Sequence, residues 1–392
     1  MTEDLRIFPK VRTIPEKKPK SFMLFPFELK EKQRSSFEEK EAEALELIKN
    51  HLKTFKRCHV KSSHGKDSCI MVHLIWRACQ ELEIPMIEVW LNHTLNIFKE
   101  EPEFWDKYNK WLGIEDKFRV FFPPKDENGK QQTVWSIIDK VKHLPSFRQT
   151  SKKGSKDYKH TNIPECCDIL KKATIKEYLK NLPEDERYDC VFVGTRAEES
   201  QMRSLGVLQR CRTYLQKTRA AYPVRVVTPL SFFTTNVPKN HQGSWNDSIL
   251  KKMKNGKIKR IFRKGTKQFV YNKGESVPEN DIEKYYKKWD MPMNPTYDIH
   301  NIARMGCASC PAHIGWEIRL CKDPTEDGFG MLKMNLTKLR ENEPDRFNES
   351  IKVIRNYLKS RESLHEVNES MREKIISLLK KFNSHTDLSD FC

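Results

Sequence analysis

Six consecutive residues, Ser63-His64-Gly65-Lys66-Asp67-Ser68, combine the groups needed to hold a phosphate. The two serines offer hydroxyl donors, Gly65 lets backbone approach a ligand closely, and Lys66 supplies a point charge. Asp67 is suited to holding a magnesium ion or capping a following helix. A strand-like segment precedes the turn and an apolar run with helical spacing follows it. The turn is therefore expected at a helix N-terminus, where free N–H groups and the helix dipole favour an anion. The segment Gly194-Thr195-Arg196-Ala197-Glu198-Glu199-Ser200, with Arg203, contributes two guanidinium groups able to pair bidentately with phosphate or sulfate. A Glu199–Arg203 surface pair one helical turn apart is the plainer reading of part of it.

The chain holds eleven cysteines, among them the adjacent pair Cys166-Cys167 and the spaced pair Cys307 and Cys310. With no apolar leader, a disulfide framework is not expected, and metal ligation, catalysis or burial are the alternatives. Four thiolates suit tetrahedral zinc or an iron–sulfur cluster. Adjacent cysteines strain around one small zinc ion but can reach different irons of a cube. Cys69 and Cys79, at helical positions, read as core, and Cys321 is a substitute ligand candidate.

The turn lacks the G-x-x-x-x-G-K-[ST] pattern. It resembles instead the S-G-G-K-D-S turn of PP-loop ATP pyrophosphatases and sulfonucleotide reductases, with His64 as the one departure, a side chain placed to narrow the site or reach toward a ligand. Val89-Trp90-Leu91-Asn92, followed by Thr94, Phe98 and Glu101, resembles that group's strand ending in Asp-Thr-Gly and a Pro-Glu pair, with Asn92 in place of the acid. The 194–203 segment resembles its G-x-R-x-x-E-S-x-x-R, and Thr228-Pro229-Leu230 its closing strand end. Cys166-Cys167 and Gly306-Cys307-Ala308-Ser309-Cys310 resemble the cysteine segments of adenylylsulfate reductases.

Over residues 55–320 the chain is thus similar to the phosphoadenosine phosphosulfate reductase-like group of the PP-loop, or adenine nucleotide alpha hydrolase, superfamily. The resemblance implies a Rossmann-like sheet, ATP with magnesium, and nucleotide binding by Ser63, His64, Gly65, Lys66, Asp67, Ser68, Asn92, Gly194, Arg196 and Arg203. It implies catalysis through Lys66, Asp67 and Arg196, and a 4Fe–4S cluster on Cys166, Cys167, Cys307 and Cys310, with zinc as the alternative. Three activities are compatible with it. One is adenylation-dependent thiolation of a nucleic-acid target, drawing on a sulfur donor. A second is sulfonucleotide reduction with a thiol reductant; its usual Glu-Cys-Gly-Leu-His tail is absent, although the chain ends in Cys392. The third is nucleic-acid binding on a degenerate nucleotide fold, for which His64 and Asn92 speak.

These groups need a scaffold. Strand-like runs at Cys58 to Lys61, Met86 to Leu91, Phe118 to Phe122, Tyr188 to Gly194 and Val224 to Thr228 alternate with helical patterns at 36–56, 67–82, 100–112, 131–143 and 167–181. Ser36 and Glu39 form a capping-box signature for the first helix. The alternation predicts an α/β fold, a doubly wound and mostly parallel sheet covered on both faces. Residues 1–35 read as an extended arm, 36–320 as one domain, and 321–392 as a helical C-terminal region, with amphipathic pattern from about 331. Residues 146–164 read as a loop leading to the cysteine pair.

The chain of 392 residues carries 72 Lys+Arg against 54 Asp+Glu, a formal charge of +18, which favours polyanionic partners. The segment 240–280 is markedly basic, with Lys251, Lys252, Lys259, Arg260 and their neighbours interleaved with apolar residues. This segment reads as a basic hairpin insertion able to meet tRNA or DNA. No apolar run is long enough to cross a membrane, and a cytoplasmic location is expected.

Overall fold

A computed structural model describes residues 23–134, 136–137, 165–199, 201–216, 221–235, 248–252, 255–262, 268–275, 277, 279–299, 305–307 and 348. The first strand, β1 (Cys58–Lys61), is followed by α3 (Lys66–Glu81), then β2 (Glu88–Asn92), α4 (Glu101–Leu112) and β3 (Phe118–Phe121). A helical stretch over 165–180, here α5, leads to β4 (Cys190–Val193), α6 (Gln201–Arg210), β5 (Thr213–Gln216) and β6 (Val224–Val227). The six strands form one sheet in the order β3-β2-β1-β4-β6-β5. All neighbours pair in parallel except β5, which runs antiparallel to β6 at the edge. The chain winds outward from β1 to β3, then crosses to β4 on the other side, so the winding reverses between β1 and β4. In doubly wound sheets, ligands bind outside the carboxyl ends of the strands at such a point.

The sheet is covered on both faces, and the period-two alternation of each strand assigns the cover. Cys58, Val60, Val89, Leu91, Cys190 and Phe192 face one side and pack with α3, α4 and the helix α2 (Phe37–Thr54). Trp90 faces the other side, packing with Phe121, Tyr188 and with Ile175 and Leu179 of α5. Cys69 and Cys79 lie in the first core, as expected, and burial pushes the Cys79 thiol up to about 11. Helix α2 begins with the expected box, Ser36 Oγ accepting from the Glu39 amide and the Glu39 carboxylate accepting from the Ser36 amide.

Within the residues expected to be an extended arm, Pro26–Arg34 is instead a helix, α1. Proline opens it and the Glu28 carboxylate accepts from the Phe25 amide, which satisfies its first turn. Only Leu29 of this helix is buried, against Val207, Leu208 and Phe232, so its sequence shows no apolar period. The basic segment is a three-stranded antiparallel sheet rather than a hairpin: β7 (Ser248–Lys252), β8 (Ile258–Phe262) and β9 (Gln268–Tyr271). Gln268-Phe269-Val270-Tyr271, rich in residues that favour strands, supplies the third. Most of the helix expected over 131–143, the loop over 146–164 and nearly all of 321–392 lie outside the described residues.

After this sheet the chain returns to the main domain as α7 (Asp281–Lys288) and α8 (Thr296–Ile299). Asp281 fixes the return. Its carboxylate accepts from the Thr234 amide at 2.6 Å and pairs with Lys40 of α2 at 2.9 Å, both partners buried. The Asp281 amide in turn donates to the Thr234 carbonyl. Glu41 adds a second buried junction with Arg77, Lys288 and the Trp289 indole, and burial of its carboxylate is outweighed by these partners, which hold it below its ordinary range.

Candidate nucleotide site

The turn after β1 has an uncommon backbone. His64 sits in the left-handed region at φ 47°. A glycine takes this conformation freely, and histidine is among the few other residues enriched there. Hydrogen bonding from both backbone and ring holds it in place. The His64 amide donates to Ser62 Oγ, its ring Nδ1 meets the same oxygen, Nε2 meets Asn109 Oδ1 at 3.2 Å, and its carbonyl accepts from Asn294 Nδ2. The ring is fully buried against Trp105, Tyr108 and Phe118, and burial lowers its pKa to about 4, so it is neutral. The expectation that this side chain narrows the site or reaches a ligand is therefore corrected. His64 shapes the turn by its backbone and anchors it by its ring.

Gly65 serves close approach. A Cβ there would stand 3.0 Å from Tyr297 Oη and 3.3 Å from Met305 Cβ. Gly194, at the end of β4, meets the same limit, since a Cβ would stand 3.2 Å from the Asp67 carbonyl oxygen. These two glycines let β4, α3 and the 297–305 segment converge on one place. The convergence leaves a cleft of about 220 Å³ lined by Ser63, Gly65, Lys66, Asp67, Ser68 and Asn92. Gly194, Glu199, Arg203, Glu101, Lys171 and Tyr297 also line it.

The first intrahelical bond of α3 runs from Cys69 N to Gly65 O, so the amides before it have no i−4 partner. That of Lys66 donates to Tyr297 Oη at 2.9 Å, and the Lys66 ammonium lies 5.8 Å from the same ring. Ser63 and Ser68 join their hydroxyls at 2.9 Å. Buried within the wall, Asn92 Oδ1 has no hydrogen-bond partner. Such an orphan acceptor at the edge of a cleft matches an N–H or O–H donor on a ligand.

Arg196 does not face the cleft. It is 0% exposed, its Nε donates to Asp67 Oδ1 at 2.7 Å, and its Nη1 pairs with Glu198, which also accepts from Thr235. The expectation that Arg196 neutralises phosphate or sulfate directly is corrected: its fork is spent on two carboxylates. Through Asp67 it fixes the start of α3. Arg203 does line the cleft and forms the i,i+4 pair with Glu199, so the plainer reading and the site reading coincide there.

Glu101 opens α4 and is buried, with its carboxylate accepting from the Phe98 amide at 2.9 Å. Burial pushes it up to about 7 even with the Phe98 N–H and the charge of Lys171 acting the other way.

The cysteines are brought only partly together. Cys307 lines the cleft and its sulfur lies 3.5 Å from Thr94 Oγ1. Cys166 is buried and Cys167 half-buried at the start of α5, where Lys171, one turn further on, reaches the cleft. A hydrogen bond from Cys166, aided by Lys171 and Lys172, lowers the Cys167 thiol to about 6 against the effect of burial. Cys310 lies outside the described residues, as do Cys321 and Cys392. Among the described residues no three His, Cys, Asp or Glu form a group able to hold a metal.

Sequence reasoning missed Asn294, Tyr286 and Tyr297. Tyr286 Oη donates to the Lys66 carbonyl at 3.1 Å, so all three clamp the phosphate turn from more than two hundred residues away. The density of tyrosines just after the basic insertion was the available signal.

A doubly wound sheet with a turn and helix N-terminus opening on a cleft at its switch point is the arrangement in which α/β domains commonly hold nucleotides. Residues 57–237 match the sequence model of the phosphoadenosine phosphosulfate reductase domain, which supports the reductase-like family that the motifs resemble. The chain is 28% identical over 164 residues to sulfate adenylyltransferase subunit 2 of Saccharophagus degradans, covering 42% of this chain and 44% of that one. It thus spans less than half the length of that relative. Two solved structures are similar at 11% identity. Phosphoadenylyl-sulfate reductase from Candida auris gives a TM-score of 0.36 over 72% of this chain and 96% of that one. The U34-tRNA thiolase NcsA from Methanococcus maripaludis, with its [4Fe-4S] cluster, gives 0.33 over 78% and 82%.

Proposed function

We propose that the chain is an adenine-nucleotide enzyme that activates an acceptor oxygen with ATP and releases pyrophosphate, in the service of sulfur transfer to a nucleic acid. One observation carries this reading: the 62–68 turn, the α3 N-terminus, Lys66 and Arg203 share a cleft with the unpartnered Asn92 Oδ1. The triphosphate rests on the turn, with Lys66 and Arg203 neutralising its oxygens and Asn92 accepting from the nucleoside. An acceptor oxygen attacks the α-phosphorus, the bond to the bridging oxygen breaks, and the electron pair leaves with pyrophosphate. A sulfur donor then displaces AMP from the activated carbon.

Asp67, Arg196 and Glu198 together carry one net negative charge, and Glu199 adds another carboxylate at the cleft. Asp67 and Glu199 would hold magnesium, whose chemistry is to neutralise developing phosphate charge. Catalysis by the chain itself is then positioning and charge neutralisation. The basic β7–β9 sheet is proposed to meet the nucleic acid, tRNA or DNA. Cys166, Cys167, Cys307 and Cys310 are proposed as cluster ligands on their sequence pairing alone.

The family match itself favours a second reading, reduction of an adenylylated sulfonucleotide with release of sulfite. Anaerobic incubation with labelled ATP, and separately with adenylylsulfates, separates the two. Pyrophosphate release and ATP–pyrophosphate exchange, both lost in Lys66→Ala, support the first; sulfite release with no exchange replaces it by the second.

A further inference from the structure

A second cavity, of about 540 Å³, lies on the face of the sheet that α5 covers, beside the strands β1, β4, β5 and β6. Its size is within the range of small-ligand sites. Five cations line it, Lys61 from β1, Lys171, Lys172 and Lys176 from α5, and Arg210 from α6, and among the described residues no Asp or Glu does. The alternation of β1 that sends Cys58 and Val60 into one core sends His59 and Lys61 into this cavity. His59 is 1% exposed, and both of its ring nitrogens lack a hydrogen-bond partner. Its ring is fixed by stacking on Trp90 at 3.7 Å and by the edge of Tyr188 at 5.0 Å.

A fold does not gather five like charges around a void without cost. Burial, and then the charge of Lys172, lower the pKa of Lys61, and burial with Lys61 lowers that of His59 well below its ordinary value. An anion in the cavity removes both penalties, and a neutral His59 offers it one donor and one acceptor. The remaining wall is aromatic and apolar. Tyr214 lies beneath Arg210, whose guanidinium carbon is 4.2 Å from the ring centroid, and Tyr222, Leu215 and Ile175 complete it. Clustered cations beside ring-stacking surface are the combination that binds single-stranded nucleic acid.

We propose that this cavity binds a nucleoside phosphate unit, the phosphate held by Lys61, Lys172 and Lys176 and the ring system against Tyr214. Lys171 lines both this cavity and the nucleotide cleft, and Lys61 directly precedes the phosphate turn. A strand seated here is led past Lys171 toward the activated phosphate, so the cavity is the acceptor's entry. That last step rests on the adenylating reading; the binding itself does not.

The test uses the full chain and a fluorescein-labelled, 5′-phosphorylated single-stranded hexanucleotide, followed by anisotropy over a salt series. Lys61→Gln and the double variant Lys172→Gln/Lys176→Gln are each expected to weaken binding about tenfold. The slope of log affinity on log salt should fall by about 0.7 for each phosphate no longer neutralised. Lys53→Gln, on α2 across the sheet, should change neither, and a melt checks folding. Lys172 and Lys176 are exposed, so their variant reports even if Lys61→Gln does not fold. AMP displacing the strand identifies a free nucleotide as ligand, and displacement by unlabelled strand alone identifies the acceptor. Affinity and salt slope unchanged in both variants overturn the proposal. Lys66→Ala should keep hexanucleotide binding; if the wild type binds the strand but not ATP, the adenylating reading fails and the second site stands.

Discussion

Replacing Arg196 by alanine separates a structural role from a ligand role. The guanidinium is fully buried between Asp67 and Glu198, with Nε to Asp67 Oδ1 at 2.7 Å. Its loss leaves the buried Glu198 carboxylate, and Asp67 at the cleft wall, without their cation. Breaking a buried pair from one side costs about 3–5 kcal/mol. At about 2–4 °C per kcal/mol for a domain of this class, Arg196→Ala should lower Tm by about 10 °C. ATP affinity should fall as well, but indirectly, because Asp67 opens α3 and its amide belongs to the phosphate turn. Arg196→Lys restores one charge without the fork and should fall between the two. Thermal melts by circular dichroism, beside ATP titration of each variant well below its Tm, give both quantities. A Tm within about 2 °C of wild type, with ATP binding abolished, would refute the buried-hub reading and return Arg196 to the phosphate.

Three other outcomes follow from the same site. His64→Gly frees a left-handed backbone position yet removes a buried ring, so it should destabilise by about 2–4 kcal/mol in denaturant melts while ATP affinity stays within a few-fold. Glu101, pushed up to about 7, binds its proton more tightly folded than unfolded. Its effect on stability is therefore favourable at low pH and declines from about pH 4.5 to 7, a fall that Glu101→Gln should erase from a Tm–pH profile. Anaerobic purification should give a brown protein with visible iron–sulfur absorbance, and a colourless, zinc-loaded sample excludes the cluster.

The sheet was legible because short strand-like segments such as Cys58–Lys61 and Cys190–Val193 recur between helical patterns of 10–15 residues, the alternation that a parallel α/β sheet produces. The turn was legible as a helix N-terminus because a strand-like segment precedes it and an apolar helical pattern follows it. What escaped was direction. A motif fixes that Arg196 is an arginine, but its partners, Asp67 and Glu198, come from the tertiary fold. His64 looked like a ligand-facing residue because the sequence carries no φ, and its angle of 47° explains why glycine is the usual occupant. Thr213–Gln216 was missed as an edge strand of four residues with one exposed leucine and no alternation to read. Tyr297 and Asn294 act across 230 residues of chain, where no local pattern reaches.

Thr234 and Asp281 join the two ends of the excursion that carries the basic sheet, by a backbone hydrogen bond and by the Asp281 carboxylate. An excursion whose ends are tied at one point is a cassette, replaceable at little cost to the host fold because its closure is already fixed. The same aspartate starts the helix whose continuation brings Tyr297 to the phosphate turn. On the proposed function, a cassette exchanged at this seam should leave nucleotide binding intact while changing what the basic sheet meets, and a graft between Thr235 and Asn280 is the direct test.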